Sequence, residues 1–253
     1  ALTATAIRKG DEYVINGQKT WTTGAHRADW GFGVFKTDPA ARKHHNLSFL
    51  LFDMKTPGIT VRPVLYMHGG HVYNEVYFDD AHIPTRNIVG QENEGWAVVN
   101  LLAGFERSGI DEIMRLLRGL EHLVAYCNET RRNGEPLSKD PVIRNRLAQV
   151  ACELEAARAL AYRVADLQNR NEMSLMDASA VKIFTGELSE RFASLATDIL
   201  GPYGQVKFSR WAPMSGLWER MYQECFVFTV SMGTNEIQKN IIAWYGLGLP
   251  RMR

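Results

Sequence analysis

The spacing of apolar and polar residues changes period once along this chain, near residue 90. Before that point the pattern is short and strand-like. "DEYVINGQKTWTTG" (11–24) reads as two runs joined by Asn16-Gly17, a pair that favours a two-residue hairpin because both residues tolerate positive φ. "NLSFLLFDM" (46–54) and "GITVRPVL" (58–65) read as further strands, with Pro57-Gly58 turning between them. "HVYNEVYFDD" (71–80) alternates as a half-buried strand does. These segments predict a small antiparallel β-sandwich or barrel domain over residues 1–88.

Pro84 and Gly90 mark the change, and from Glu94 the period is helical. One long helix is expected to run from Glu94 to Arg132. A second spans Pro141–Arg170, with proline in the first turn, where its missing N–H has no partner to lose. A third lies between Ser174, a side-chain N-cap, and Gly201 just past its end. A fourth, less regular segment starts at about Pro213 and leads into a short helix at "SMGTNEIQKNII" (231–242). Four helices with short connections predict an up-down bundle over residues 89–253, and the fold class is α+β.

Composition narrows the function classes. The chain of 253 residues carries a formal net charge of +1, which gives no attraction for nucleic acid or an anionic membrane surface. No apolar run approaches the roughly 20 residues that span a bilayer. Cys127, Cys152 and Cys225 are widely spaced, which suits buried thiols in a reducing compartment: the cytoplasm, or the mitochondrial matrix of a eukaryote. The opening "ALTATAIRKG" has no signal-peptide core and no initiator Met, so the chain is expected to be a fragment or a processed form.

Three places carry candidate chemistry. Along the first long helix an apolar seam steps through Val99, Leu102, position 106, Ile110, Ile113, Leu117, Leu120 and Val124. Position 106 is Glu. A buried acid there would have its pKa raised toward that of a general base; the alternatives are a structural ion pair with an arginine, or a seam open at that turn. Trp21-Thr22-Thr23 offers an aromatic face beside two hydroxyls, suited to a flat heterocycle, although an ordinary strand favours the same residues. The start of the helix after Met232-Gly233-Thr234, with Glu236 in its first turn, offers free N–H groups to an oxyanion. "GPYG" (201–204) reads first as a helix stop. The histidines lack metal-ligand spacing, and no Walker motif, GxGxxG after a strand or GxSxG elbow occurs.

Taken together, "YVINGQKTWTTGAHRADW" (13–30), "GFERSGI" (104–110), "GPYG" (201–204) and "MGTNEIQKNIIAWYGLGLPR" (232–251) resemble the acyl-CoA dehydrogenase family, over essentially the whole chain. The resemblance implies the family's middle β-domain and C-terminal helical domain. It implies FAD, an acyl-CoA substrate, a glutamate that takes the α-proton, and hydride transfer from Cβ to flavin N5. It also implies an electron-transfer flavoprotein as partner and a homo- or hetero-oligomer. Trp21 and Thr23 match positions that pack on and hydrogen-bond the flavin, with Thr22 between them. Thr234 and Glu236 match cofactor contacts. Gly201 falls in the turn that approaches the FAD of a neighbouring subunit.

Many family members carry the catalytic glutamate where this chain has Met232. A second group carries it directly before an arginine on the first helix of the C-terminal domain, which here is Glu106-Arg107. The resemblance therefore makes Glu106 the base. It places Arg107, Met232 and Gly233 against the substrate, with the Met232 N–H polarising the thioester carbonyl. Departures from the pattern fall at Thr130, Asn133, Pro141 and Asp198, where the family has Arg, Phe, Gln and Gln; Arg131 or Arg132 would substitute for the first. The family's N-terminal helical domain has no counterpart in the sequence. These departures motivate the alternative of a non-catalytic partner subunit, or a fragment, that completes a neighbour's FAD site.

Overall fold

Alternation of aromatic and β-branched residues with polar ones builds the first half of the chain into a single sheet. The computed structural model describes all residues except 1, 43, 107, 108, 173, 252 and 253. Its strands are β1 (Thr5–Lys9), β2 (Glu12–Lys19), β3 (Trp30–Lys36), β4 (Leu47–Asp53), β5 (Ile59–Leu65), β6 (His71–Pro84) and β7 (Ile88–Val89), in the order β5-β6-β2-β1-β3-β4-β7. Every pairing is antiparallel except the short parallel contact of β1 with β3, Thr5 opposite Lys36. The core face gathers Tyr13, Ile15, Leu50 and Ile83 around Phe35, Phe52 and Phe78, whose rings meet edge to face at 5.1–6.0 Å.

Asn16-Gly17 is not the hairpin turn. The chain reverses at Gly10-Asp11, where Lys9 pairs with Glu12 and Gly10 has φ 64°. Asn16 and Gly17 lie inside β2 at a bulge, where the pairing with β6 shifts register. The Asn16 carboxamide donates to Asp80 Oδ1 and accepts from Asp80 N, each at 2.9 Å. Gly17 (φ 125°) is required because a Cβ there would lie 2.7 Å from Ala4 Cα. The local signal for backbone freedom was therefore right, but tertiary pairing uses it for a bulge.

Two compact units divide at Ala103/Gly104, within helix α1 (Gly95–Glu106). The expected single long helix is two. Gly109, at φ 65°, separates α1 from α2 (Ile110–Glu129) and resets the helical phase. The buried stripe of α2 is accordingly Ile113, Leu116, Gly119, Leu123 and Cys127, while Val124 and Leu102 are exposed. A hairpin follows, with strands β8 (Arg131–Arg132) and β9 (Glu135–Pro136) joined by Asn133-Gly134 at φ 52° and 87°.

Helix α3 (Pro141–Asn169) starts under Asp140, which accepts from Val142 N at 2.8 Å. Helix α4 (Leu175–Leu200) starts under Ser174, which accepts from Asp177 N at 3.1 Å, and stops at Gly201, as expected. Then come α5 (Leu217–Glu224), α6 (Val227–Val230) and α7 (Asn235–Ile241). The helical core packs Trp218 edge-on to Phe192 at 4.9 Å, with Gly119 leaving room beside the indole. Cys127 and Cys225 are buried in it, but Cys152 is exposed, because the stripe Ile143, Leu147, Val150, Leu154 turns it outward. Among the described residues no helix is long and apolar enough to cross a membrane.

One half-buried cation in the sheet is costly to keep charged. Lys19 reaches the Val34 carbonyl and lies 4.6 Å over the Phe35 ring, and burial pulls its amine down to about 8. An unfolded lysine stays protonated to about pH 10.4. Below pH 8 the folded state thus carries the full cost of charge burial, on the order of 3 kcal/mol. That cost is relieved as pH rises from about 8 to 10.4, so this group makes stability increase with pH through that window. Lys19→Met is expected to be more stable than the parent at pH 7, and its advantage should shrink by pH 10. Urea unfolding of both proteins at the two pH values checks this; an equal difference at both would refute it.

Candidate active site

The β unit presents Trp21, Thr22 and Thr23 just after β2. Trp21 is held at φ 61°, an unfavourable conformation for a bulky residue, with its indole 63% exposed and edge-on to Tyr73 at 5.7 Å. Asn74, wholly buried on β6, fixes the loop: Thr22 N donates to Asn74 O at 2.9 Å, and the Asn74 carboxamide donates to Thr22 O at 3.0 Å. Gly24 N donates to Val72 O at 2.8 Å. Asn74 also bridges two stacked imidazoles: its Oδ1 meets His71 Nε2 at 2.8 Å and its Nδ2 meets His26 Nδ1 at 3.2 Å. Burial, His71 and Arg27 hold the His26 ring below its ordinary pKa. Nothing in the local sequence pattern signals this support.

In the helical unit the polar face of α4 organises the rest. Ser179, Lys182 and Gly186 follow one another at helical spacing and face the segment 228–238. Lys182, 4% exposed, donates to Thr229 O at 3.1 Å and Asn235 Oδ1 at 2.9 Å. Ser179 Oγ donates to Gln238 Oε1 at 2.7 Å, and Gln238 Nε2 donates to Met232 O at 2.7 Å. Met232 and Gly233 stand at φ 55° and 87°. Thr234 caps α7, accepting from Ile237 N at 3.3 Å. The carboxyl of exposed Glu236 is held below the usual carboxylate range by its own backbone N–H and by the Thr234 hydroxyl. Among the described residues the N–H groups of Met232 and Gly233 meet no acceptor.

Glu106 is exposed at the end of α1, so the burial expected from the seam does not occur. Leu102 and Phe105 on the same helix are exposed as well, so the seam is open at this turn. Arg107 lies outside the described residues. The end of α1 is tied down by Gln168 of α3, which donates to Gly104 O at 2.9 Å and Phe105 O at 3.4 Å. Gly104 and Gln168 line a small crevice with Ala178 of α4, and Gly109 lies against Val181. The end of α1 is thus held by α3 beside the first turn of α4, and the Met232-Gly233 turn is held through Gln238 by Ser179 in the second turn of α4.

The buried acid is instead Glu112, on α2. It forks onto Arg115 at 2.7–2.9 Å and accepts from Ser189 at 3.3 Å. Burial raises its carboxyl above the usual range against the pull of Arg115. The i,i+3 Glu-Arg spacing was the available sequence signal, and it identifies a structural pair. Gly201 ends α4 at φ 59° and ψ −138°, with open space where a Cβ would be. Arg131 is exposed and folds back onto Gly134 O at 2.9 Å; Arg132 reaches Ile199 O at 3.4 Å; Asp198 pairs with Arg146 at 3.1 Å.

Comparisons with known proteins match both parts of the chain. The family profile "Acyl-CoA dehydrogenase, middle domain" matches residues 1–81, and "Acyl-CoA dehydrogenase, C-terminal domain" matches residues 93–245. Acyl-CoA dehydrogenase FadE29 of Mycobacterium tuberculosis is 32% identical over all of this chain and 65% of its own length. The solved Tcur3481-Tcur3483 steroid ACAD superposes with a TM-score of 0.91 at 31% identity, over 100% of this chain and 65% of that one. The ChsE4-ChsE5 complex from Mycobacterium tuberculosis superposes with a TM-score of 0.89 at 32% identity, over 99% and 65%. The chain therefore spans about two thirds of the length of these relatives. With both profiles matched in order along its sequence, the chain belongs to the acyl-CoA dehydrogenase family.

Proposed function

We propose that this chain carries the base and the carbonyl donor for FAD-dependent α,β-dehydrogenation of an acyl-CoA thioester. Glu106 takes the α-proton, the Cα–H electron pair becomes the C2=C3 bond, and the Cβ hydrogen leaves as hydride, giving the 2,3-enoyl-CoA. Bound FAD supplies the hydride acceptor at flavin N5. An electron-transfer flavoprotein would be the partner that takes up the electrons. The observation that supports this reading is that the Glu106 end of α1, held by Gln168, lies beside the start of α4, to which Ser179 and Gln238 also tie the Met232-Gly233 turn. An α-proton beside a thioester is a weak acid. A base therefore works only with a donor for the developing oxyanion, and the free Met232 N–H is the donor proposed. Arg107 and Gly233 are assigned to the same substrate end.

FAD fits the residues present. The exposed indole of Trp21, held on a loop locked by Asn74, offers a flat apolar face, and Thr22 and Thr23, next in the chain, are assigned to the cofactor's edge. Thr234 and Glu236, at the start of α7, are assigned as further cofactor contacts. Gly201, with open space at its Cα, and Arg131 are assigned to the FAD of a neighbouring subunit in a homo- or hetero-oligomer.

A second reading is favoured by one specific observation. Thr130 and Asn133 replace the family's Arg and Phe, and the Arg131 guanidinium is already occupied by Gly134 O. Two solved relatives are named as pairs of gene products, Tcur3481-Tcur3483 and ChsE4-ChsE5. In this reading the chain is the partner that completes another subunit's FAD site.

The visible spectrum of the purified protein separates the two. Flavin bands that bleach when an acyl-CoA ester is added without oxygen are expected from the first reading. No flavin bands, even after soaking with FAD, would leave the second. Glu106→Gln should retain flavin while steady-state turnover falls by about 10²–10⁴-fold, the usual worth of a positioned base. Turnover within a few-fold of the parent would remove Glu106 from the mechanism.

A further inference from the structure

Among the described residues of the helical unit, Gln238 is the one carboxamide with no exposed surface. Its two ends are committed. The Ser179 hydroxyl donates to Oε1 at 2.7 Å, so the NH₂ end must face the other way. That end donates to Met232 O at 2.7 Å and makes a longer contact with Gly233 O at 3.5 Å. A Cβ on Gly233 would lie 2.7 Å from Gln238 Nε2, so amide and turn are in close contact.

The consequence follows from peptide geometry. In a trans peptide the C=O and N–H point in opposite directions. Drawing the Met232 carbonyl inward to Gln238 turns the Gly233 N–H outward. Met232 itself is held at φ 55°, a conformation that is unfavourable for a non-glycine residue and persists only when the surroundings impose it. Fixing that residue's torsions fixes its own N–H relative to the same plane. Both N–H groups are without an acceptor among the described residues.

We propose that Gln238 is a positioning residue for the reaction: by holding the Met232 carbonyl inward, it keeps the Met232 and Gly233 N–H groups turned out as paired donors for the thioester oxygen. This rests on the dehydrogenation reading above. It adds Gly233 N–H as a second donor and names the side chain that aims both.

The test reads the donors directly. A thioester labelled with ¹³C at C1 is bound to the protein, and its carbonyl stretch is compared with that of the free ester, since hydrogen bonding lowers the frequency. Exchange of the α-hydrogen with D₂O is measured alongside. Gln238→Glu toggles the device. When protonated, its O–H donates to Met232 O as the amide did; when ionised, it sets oxygen against oxygen and displaces the turn. The expected result is a parent-like stretch at about pH 5. By about pH 9 it should move at least half-way back to the free-ester frequency, with exchange ten-fold slower or more, while the parent's stretch stays constant. Gln238→Met, which cannot donate at any pH, should show the displaced stretch throughout and serves if the glutamate variant unfolds at high pH. Circular dichroism and the ester's dissociation constant should change little in either.

A parent-like stretch in folded Gln238→Met, or in folded Gln238→Glu at both pH values, overturns the positioning role. No shift on binding to the unsubstituted protein would instead overturn the dehydrogenation reading, and this inference with it.

Discussion

A buried ammonium on α4 governs the second half of the helical unit. Removing Lys182 from water costs several kcal/mol unless oxygen atoms replace its hydration. Thr229 O and Asn235 Oδ1 supply two, and both belong to chain beyond α5. That chain must therefore fold back along α4. Gly186, one turn further along the same face, permits the approach: a Cβ there would lie 2.7 Å from Phe228 O. Arg115, paired with Glu112, lies 4.8 Å over the Phe228 ring from the side of α2. The Met232-Gly233 turn is thus held by polar groups on one helix face, with apolar packing around them.

The β unit reaches the same end with a neutral group. Asn74 is as buried as Lys182, and its carboxamide is shared between the Thr22 carbonyl and two imidazoles. Here too a residue in a costly backbone conformation, Trp21, adjoins a segment fixed by a buried polar side chain. Within each unit a strained residue, Trp21 or Met232, adjoins a buried amide that over-determines the local chain. Strain of this kind persists only with such support, which is why it gathers at sites of function.

What the sequence revealed follows from the range of each interaction. The two helix caps at Asp140 and Ser174, the stop at Gly201 and the alternation of β6 are set by neighbours in the chain, and they were legible. The Asn16-Gly17 bulge was misread because Ala4 and Asp80, distant in sequence, decide its use. The seam through Glu106 was misread because that face of α1 lies open, with Leu102 and Phe105 exposed beside it. Asn74, Lys182 and Gln238 carried no signal. A buried polar residue is recognisable only through partners that tertiary structure brings, and Lys or Gln on a helix otherwise looks like solvent-facing surface. The fold was thus largely readable, and the named site motifs were findable by resemblance, but their supports were not.

The contrast between two glutamates shows why exposure at Glu106 suits the role assigned to it. Glu112 is buried and raised above the usual range, the conventional marks of a catalytic acid or base. Yet its oxygens are occupied by the Arg115 fork and the Ser189 hydroxyl, and a proton arriving there would have to displace both. A base that takes a proton from carbon needs an oxygen with a free lone pair and a path for the substrate to reach it. At the end of α1, the Gln168 amide secures the Gly104 and Phe105 carbonyls while Glu106 faces outward. The main chain is fixed and the carboxylate is accessible. Desolvation would then come with the substrate, at the moment when the base must be strongest.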